Sequence, residues 1–232
     1  MTAISEILRK QVFSEQGEVL QAQIREKEYN LRQFKSFVDM SYEEFVQLLQ
    51  VNCYDILLQR SVNREYEIDA RLEPVVRQLY LYFMGNSKCI WNLNAGLIFG
   101  GKVGCGKTLL MTSFLRICDN YSRKITTIFH SKALADAIKQ NGVEYFSRRP
   151  IMIDDLGREE SEVKDWGNLV KPVIDIFSLR YEAGARTYCT TNFNFETLEK
   201  FYSEFIRTRM EEMMTFVVIP GESRRLKNEI KK

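Results

Sequence analysis

Gly101-Lys102-Val103-Gly104-Cys105-Gly106-Lys107-Thr108 decides the fold. It follows the apolar run Gly96-Leu97-Ile98-Phe99 and leads directly into Leu109-Leu110-Met111-Thr112-Ser113-Phe114-Leu115. The pattern is G-x-x-x-x-G-K-[ST], set between a strand and a helix, and each residue type has a physical task. Glycines let the backbone curl until successive N–H groups converge on an anion. The N-terminus of the following helix turns its positive dipole end to the same anion. The Lys107 ammonium reaches the outer phosphates of a nucleotide, and the Thr108 hydroxyl is placed to ligate Mg²⁺. At average residue frequencies such a window arises by chance about 3 times in 100,000. The expected nucleotide contacts are Gly101, Val103, Gly104, Cys105, Gly106, Lys107, Thr108 and Leu109, with Cys105 serving as a small filler.

Downstream, Arg149-Pro150-Ile151-Met152-Ile153-Asp154-Asp155-Leu156-Gly157 is an apolar strand ending in two carboxylates. After a phosphate loop, that is the expected partner element. Asp154 is expected to hold Mg²⁺, directly or through water. Asp155 is expected to orient or deprotonate an attacking water.

Outward from these motifs, β-rich runs alternate with helical stretches. Strands are expected at 96–99, 125–129, 151–153, 187–191 and 215–219. Helices are expected near 108–119, 131–140, 166–183 and 196–213. Right-handed crossovers then give an α/β fold, a three-layer αβα sandwich around a five-stranded, mainly parallel sheet. Trp166-Gly167-Asn168 is expected to open the helix that leads to Arg180.

The first 85 residues read as helical, with Pro74 the first proline and only Gly17 before Gly85. Ser41-Tyr42-Glu43-Glu44 fits a capping box, and Phe45, Leu48, Leu49, Cys53 and Ile56 follow at helical spacing. A second helix is expected over 69–84, stopped by Gly85. The domain division is an N-terminal helical adaptor over 1–75 and a nucleotide-binding domain over 76–232.

Composition narrows the class. The 232 residues are 45% hydrophobic, 28% charged and 12% aromatic, which excludes low-complexity disorder. The net charge of +2 divides unevenly, −3 over residues 1–85 and +5 over 86–232. That bias permits contact with nucleic acid without demonstrating it. No apolar run nears the ~18 residues of a membrane span, and no signal peptide is legible. Five cysteines without a C-x-x-C pair, beside the single His130, cannot assemble a zinc site. They read as reduced thiols of a cytoplasmic protein.

In Gly-Lys-Val-Gly-Cys-Gly-Lys-Thr (101–108) and Ile-Asp-Asp-Leu-Gly-Arg-Glu (153–159), the chain resembles the DnaC/IstB-like branch of the AAA+ P-loop NTPases. Leu179-Arg180-Tyr181-Glu182, Thr190-Thr191-Asn192, Arg207-Thr208-Arg209-Met210-Glu211-Glu212-Met213 and Gly221-Glu222-Ser223-Arg224-Arg225 are similar to further family elements, in family order. The resemblance covers roughly residues 75–228. It implies an ATPase using ATP and Mg²⁺ that assembles into homo-oligomers in the ATP state. It also implies a replicative-helicase loader whose N-terminal helices grip the helicase and whose body touches DNA, expected to be single-stranded. By the same resemblance Asn192 is the sensor beside the lytic water. Arg209 is the finger reaching a neighbour's nucleotide, with Arg207 its competitor. Arg225 contacts nucleotide within its own subunit, with Arg224 the alternative.

The chain departs from the pattern at three places. Asp155 stands where most AAA+ proteins have Glu, so turnover is expected to be slow. Phe205 stands where the family often has a second arginine. Only a dozen residues follow the last strand, too few for a full C-terminal lid. Two other readings stay open: an IstB-like helper that delivers a transposase to DNA, and a nucleotide-gated binding module with negligible turnover.

Overall fold

A computed structural model describes residues 39–122, 124–159, 163–165, 168–170 and 172–224. The chain divides into compact units Met1–Met40 and Ser41–Lys232. Nearly all of the first lies outside the described residues, and so does its part in the expected N-terminal adaptor.

The second unit opens with α1 (Tyr42–Gln59) and α2 (Glu73–Phe83). The capping box at the start of α1 is complete: the Glu44 N–H donates to the Ser41 hydroxyl at 3.1 Å, and the Ser41 N–H to the Glu44 carboxylate at 2.7 Å. Phe45, Leu49, Cys53, Ile56 and Leu57 form the buried stripe of α1. Leu48, expected on that face, is 38% exposed. The boundary expected at 75/76 falls inside α2, where Pro74 occupies the first turn, the position that needs no backbone N–H.

The five-stranded sheet is built from β1 (Gly96–Gly100), β2 (Thr127–His130), β3 (Ile151–Leu156), β6 (Thr187–Thr191) and β7 (Met214–Val218). Its order is β2-β3-β6-β1-β7, and every neighbouring pair is parallel. Central strands β1 and β6 are buried along their whole length, as a parallel sheet covered on both faces requires.

Side chains alternate between the two faces. Ile98, Ile151, Ile153 and Cys189 join one cluster with Val173, Ile176 and Phe177 of α5 (Pro172–Glu182), Leu198 of α6 (Phe195–Tyr202) and Ile206 of α7 (Glu204–Met213). On the other face α3 (Lys107–Ser122) meets the sheet, with the Thr112 hydroxyl against the Met152 sulfur at 3.9 Å. Phe45 of α1 stacks on Phe114 of α3 at 6.4 Å and on Phe83 of α2 at 5.8 Å. Helices α1 and α2 therefore belong to the same core as the nucleotide-binding motifs.

Four expected elements differ. Strand β2 begins at Thr127 because Asp119 takes the Thr126 N–H and hydroxyl at 2.8 and 2.7 Å, leaving Ile125 85% exposed. The stretch 131–140 divides into a 3₁₀ turn, Ser131–Ala133, and α4 (Leu134–Asn141). The helix expected from Trp166 starts at Pro172; the antiparallel pair β4 (Val163–Asp165) and β5 (Asn168–Val170) precedes it. Proline favours the first helical turn, so the helix opens at Pro172. The helix expected over 196–213 is broken at Ser203, whose φ of +82° no helix tolerates.

Buried Arg180 ties the sheet's lower edge together. Its guanidinium donates to the carbonyls of Phe146, Arg149 (2.9 Å) and Arg186 (2.6 Å), and to the Thr187 hydroxyl at 2.8 Å. Burial lowers its pKa to about 10. Next to it Phe146 is fully buried, and Arg149 stacks on the Tyr145 ring at 4.0 Å.

Candidate nucleotide-binding site

Parallel strands β3, β6 and β1 lie side by side, so the segments leaving their C-terminal ends meet at one edge of the sheet, the usual place for a ligand in an open α/β sheet. A cavity of about 400 Å³ opens there. Val103, Gly104, Gly106, Lys107, Thr108 and Leu109 line one side of it, and Asp154, Asp155 and Asn192 another. Gly101 and buried Cys105 form the base of the loop: the Lys107 ammonium donates to the Gly101 carbonyl at 2.8 Å and lies 3.9 Å from the Cys105 sulfur.

Glycine is required at Gly104. Its φ is +83°, and a Cβ there would lie 2.3 Å from the Ser223 hydroxyl. The segment after β7 thus packs directly against the loop, and the Arg224 N–H donates to the Gly104 carbonyl at 2.9 Å.

Lys107 is buried and donates further to the Lys102 carbonyl at 2.9 Å and the Asn192 side-chain oxygen at 2.8 Å. Desolvation pulls its pKa below the ordinary lysine range, partly offset by Cys105, Asp155 and Asp154. The Thr108 hydroxyl donates to Asp154 at 2.7 Å, and the Thr190 hydroxyl donates to the same oxygen at 2.5 Å. Thr108 and Asp154 thus bring two hard oxygens together across the cavity. That fits Mg²⁺, which takes one or two protein oxygens and completes its shell with phosphates and water.

Asp155 is aimed by its backbone. The β3–β6 register shifts between Ile153 and Leu156, and Asp155 sits at φ +57°, a region Asp tolerates better than most residues. Its N–H donates to the Thr190 hydroxyl at 3.0 Å, and its carbonyl accepts from Ser131 at 2.8 Å. The carboxylate, directed into the cavity, accepts from the Asn192 amide and from Arg158, both at 3.3 Å. The His130 imidazole lies 3.8 Å away.

The expected arginines divide. Arg225 lies outside the described residues. Its alternative, Arg224, lines the cavity, donates to the Glu67 carbonyl at 2.6 Å and stacks over Tyr66 at 5.0 Å. Arg209 lies on α7, away from the cavity lining. Its guanidinium sits over the Phe205 ring at 4.1 Å and the Tyr181 ring at 4.8 Å, and 3.3 Å from Glu182. Arg207 is held between Glu199 at 2.8 Å and Glu211 at 2.5 Å.

Sequence reading missed Arg158 and the wall formed by Arg60, Arg64, Glu65, Tyr66 and Glu67. Arg158 follows the two acids within the turn and carried its own signal. The 60–67 wall carried none, because tertiary packing alone brings it to the loop.

No protein-family model and no curated protein matches this chain. Solved structures do. The crystal structure of the DnaC helicase loader superposes with a TM-score of 0.53 at 21% identity, over 67% of this chain and 93% of that one. This chain has the DnaC-like AAA+ fold. The crystal structure of DnaI likewise superposes with a TM-score of 0.53 at 20% identity, over 83% of this chain and 99% of that one. The DnaC-like fold accounts for the sheet order and for the meeting of loop, acids and Asn192 at one edge. Among the described residues no helix is long and apolar enough to cross a membrane.

Proposed function

We propose that this chain binds and hydrolyses ATP and acts as a replicative-helicase loader in DNA replication. One observation carries the reading: Lys107, Thr108, Asp154, Asp155 and Asn192, drawn from three separate segments, line one cavity at the C-terminal edge of a DnaC-like sheet. The backbone amides of 101–108 and Lys107 hold the phosphates. Thr108 and Asp154 would hold Mg²⁺, which when bound would neutralise charge at the outer phosphates. Asp155, steadied by Asn192, orients the water for in-line attack on the terminal phosphate.

Arg209 acts in trans. The support for this role is the likeness of 207–213 to the family element; within its own subunit Arg209 rests on Tyr181 and Phe205 with Glu182 beside it. ATP-dependent homo-oligomers, contact with single-stranded DNA, a helicase partner held by the N-terminal region and a cytoplasmic location complete the proposal. In the proposed division a helical adaptor precedes the ATPase domain.

The test is ATP turnover with and without single-stranded and duplex DNA, for the wild type, Asp155→Asn and Arg209→Ala. Both variants should bind nucleotide nearly normally, and Arg209→Ala should lose turnover by about a thousandfold, the usual contribution of an arginine supplied in trans. Normal hydrolysis by Arg209→Ala overturns the shared-site assignment. Stimulation by duplex DNA alone favours the transposase-helper reading.

A further inference from the structure

Arg158 occupies a position that the proposed chemistry leaves unexplained. It belongs to the turn leaving β3, and that turn is pinned. The Arg158 N–H donates to the Asp155 carbonyl at 3.2 Å, the Gly157 N–H to the Glu159 carboxylate at 3.0 Å, and the Tyr202 hydroxyl of α6 to the same Glu159. The guanidinium is 47% exposed, lines the nucleotide cavity and, among the described residues, pairs with Asp155 at 3.3 Å. On the other side Asp155 is joined through Asn192 to Lys107. The site thus carries a linear series of polar groups: ammonium, amide, carboxylate, guanidinium. A carboxylate engaged by an arginine is poorly placed to polarise water. An ion pair exposed to this degree is weak, whereas a phosphate dianion engages a guanidinium with shorter, charge-assisted, often paired bonds.

Resting on the ATP-site reading above, we propose that Arg158 is a terminal-phosphate switch: in the empty or diphosphate site it holds Asp155, and in the triphosphate site it turns to the terminal phosphate and frees Asp155 to position water. A nucleoside diphosphate has no phosphate at that place, so the pair persists and the site discriminates between the two nucleotides. Arg158 then touches the substrate, and the freed Asp155 carries the signal.

The experiment is equilibrium displacement of a fluorescent nucleotide by ADP and by a non-hydrolysable ATP analogue, with Mg²⁺. The proteins are wild type, Arg158→Ala, Arg158→Lys, Asp155→Asn and the Asp155→Asn/Arg158→Ala double variant. Arg158→Ala should weaken the triphosphate about 10- to 100-fold, the range of one charge-assisted bond, and ADP less than twofold. Arg158→Lys should fall between. In the Asp155→Asn background the arginine no longer has to leave a carboxylate, so its removal should cost about two- to fivefold more than in the wild type. Equal losses for both nucleotides, or none, overturn the phosphate contact; an unchanged penalty in the Asp155→Asn background overturns the hold on Asp155. Wild type that binds neither nucleotide overturns the ATP-site reading itself, and this inference with it.

Discussion

Lys107→Met is the most direct perturbation of the site. The ammonium is buried and donates to the Gly101 carbonyl, the Lys102 carbonyl and Asn192 at 2.8, 2.9 and 2.8 Å. Desolvation lowers its pKa, and the acceptors it would leave are partly buried beside an open cavity where water can reach them, so its loss should change the stability of the protein by no more than about 1 kcal/mol. Binding is another matter. In the proposed ATP complex the ammonium meets two phosphates, and charge-assisted bonds contribute about 1.5–3 kcal/mol each. Removing both costs about 3–6 kcal/mol, or two to four orders of magnitude in affinity. Thermal unfolding reads this directly. At 100 times its Kd a ligand stabilises the wild type by about 2.7 kcal/mol, about 5–10 °C for a unit of this size. Lys107→Met should show no shift at the same concentration of a non-hydrolysable ATP analogue with Mg²⁺, while melting near the wild-type temperature without it. A variant that keeps most of the wild-type shift refutes the placement of phosphates against this side chain.

Three further outcomes concern the fold. Arg180→Met retains bulk but strands three carbonyls, each costing about 1–3 kcal/mol when buried without a donor, so urea unfolding should show a loss above about 3 kcal/mol; a loss below 1 would deny the strap its role. Ser41→Ala should remove about 1 kcal/mol by opening the capping box, and Glu44→Gln, which still reaches the Ser41 N–H, should lose less. Burial pushes the Cys53 thiol up to about 12 and raises Cys118 and Cys189 as well. Above pH 9 the unfolded chain therefore sheds thiol protons that the native state retains, and stability must fall as pH rises, by about 1.4 kcal/mol per pH unit for each thiol. A urea midpoint that does not move between pH 8 and 10 would contradict the burial of these thiols.

What the residues determined by themselves was local and chemical. A glycine-rich loop before Lys107 and Thr108 has one common use, and an apolar strand ending in Asp154-Asp155 has one common place beside it. The spacing of strands and helices then gave a parallel five-stranded sheet. The same order of motifs carried the likeness to a DnaC-like fold. The capping box at Ser41 was equally legible, because its two hydrogen bonds span three residues.

Tertiary structure decided whatever depended on partners distant in sequence. Leu48 falls off the covered stripe of α1 and Leu57 joins it, because packing against α2 and α3 decides where along the helical periodicity the stripe is centred. Ser203 breaks a helix through a backbone angle that no side-chain pattern announces. Arg180, read as one residue of a short motif, is a buried strap because three carbonyls from two segments distant in sequence, 146–149 and 186, converge on it. Arg224 lines the cavity because the segment after β7 crosses Gly104; Arg225 lies outside the described residues. The Asp155–Arg158 pair depends on a register shift in β3 that turns the carboxylate toward the cavity. Motifs are legible when their function lies in contiguous backbone; pairings across the sheet edge become fixed only when the whole chain closes around them.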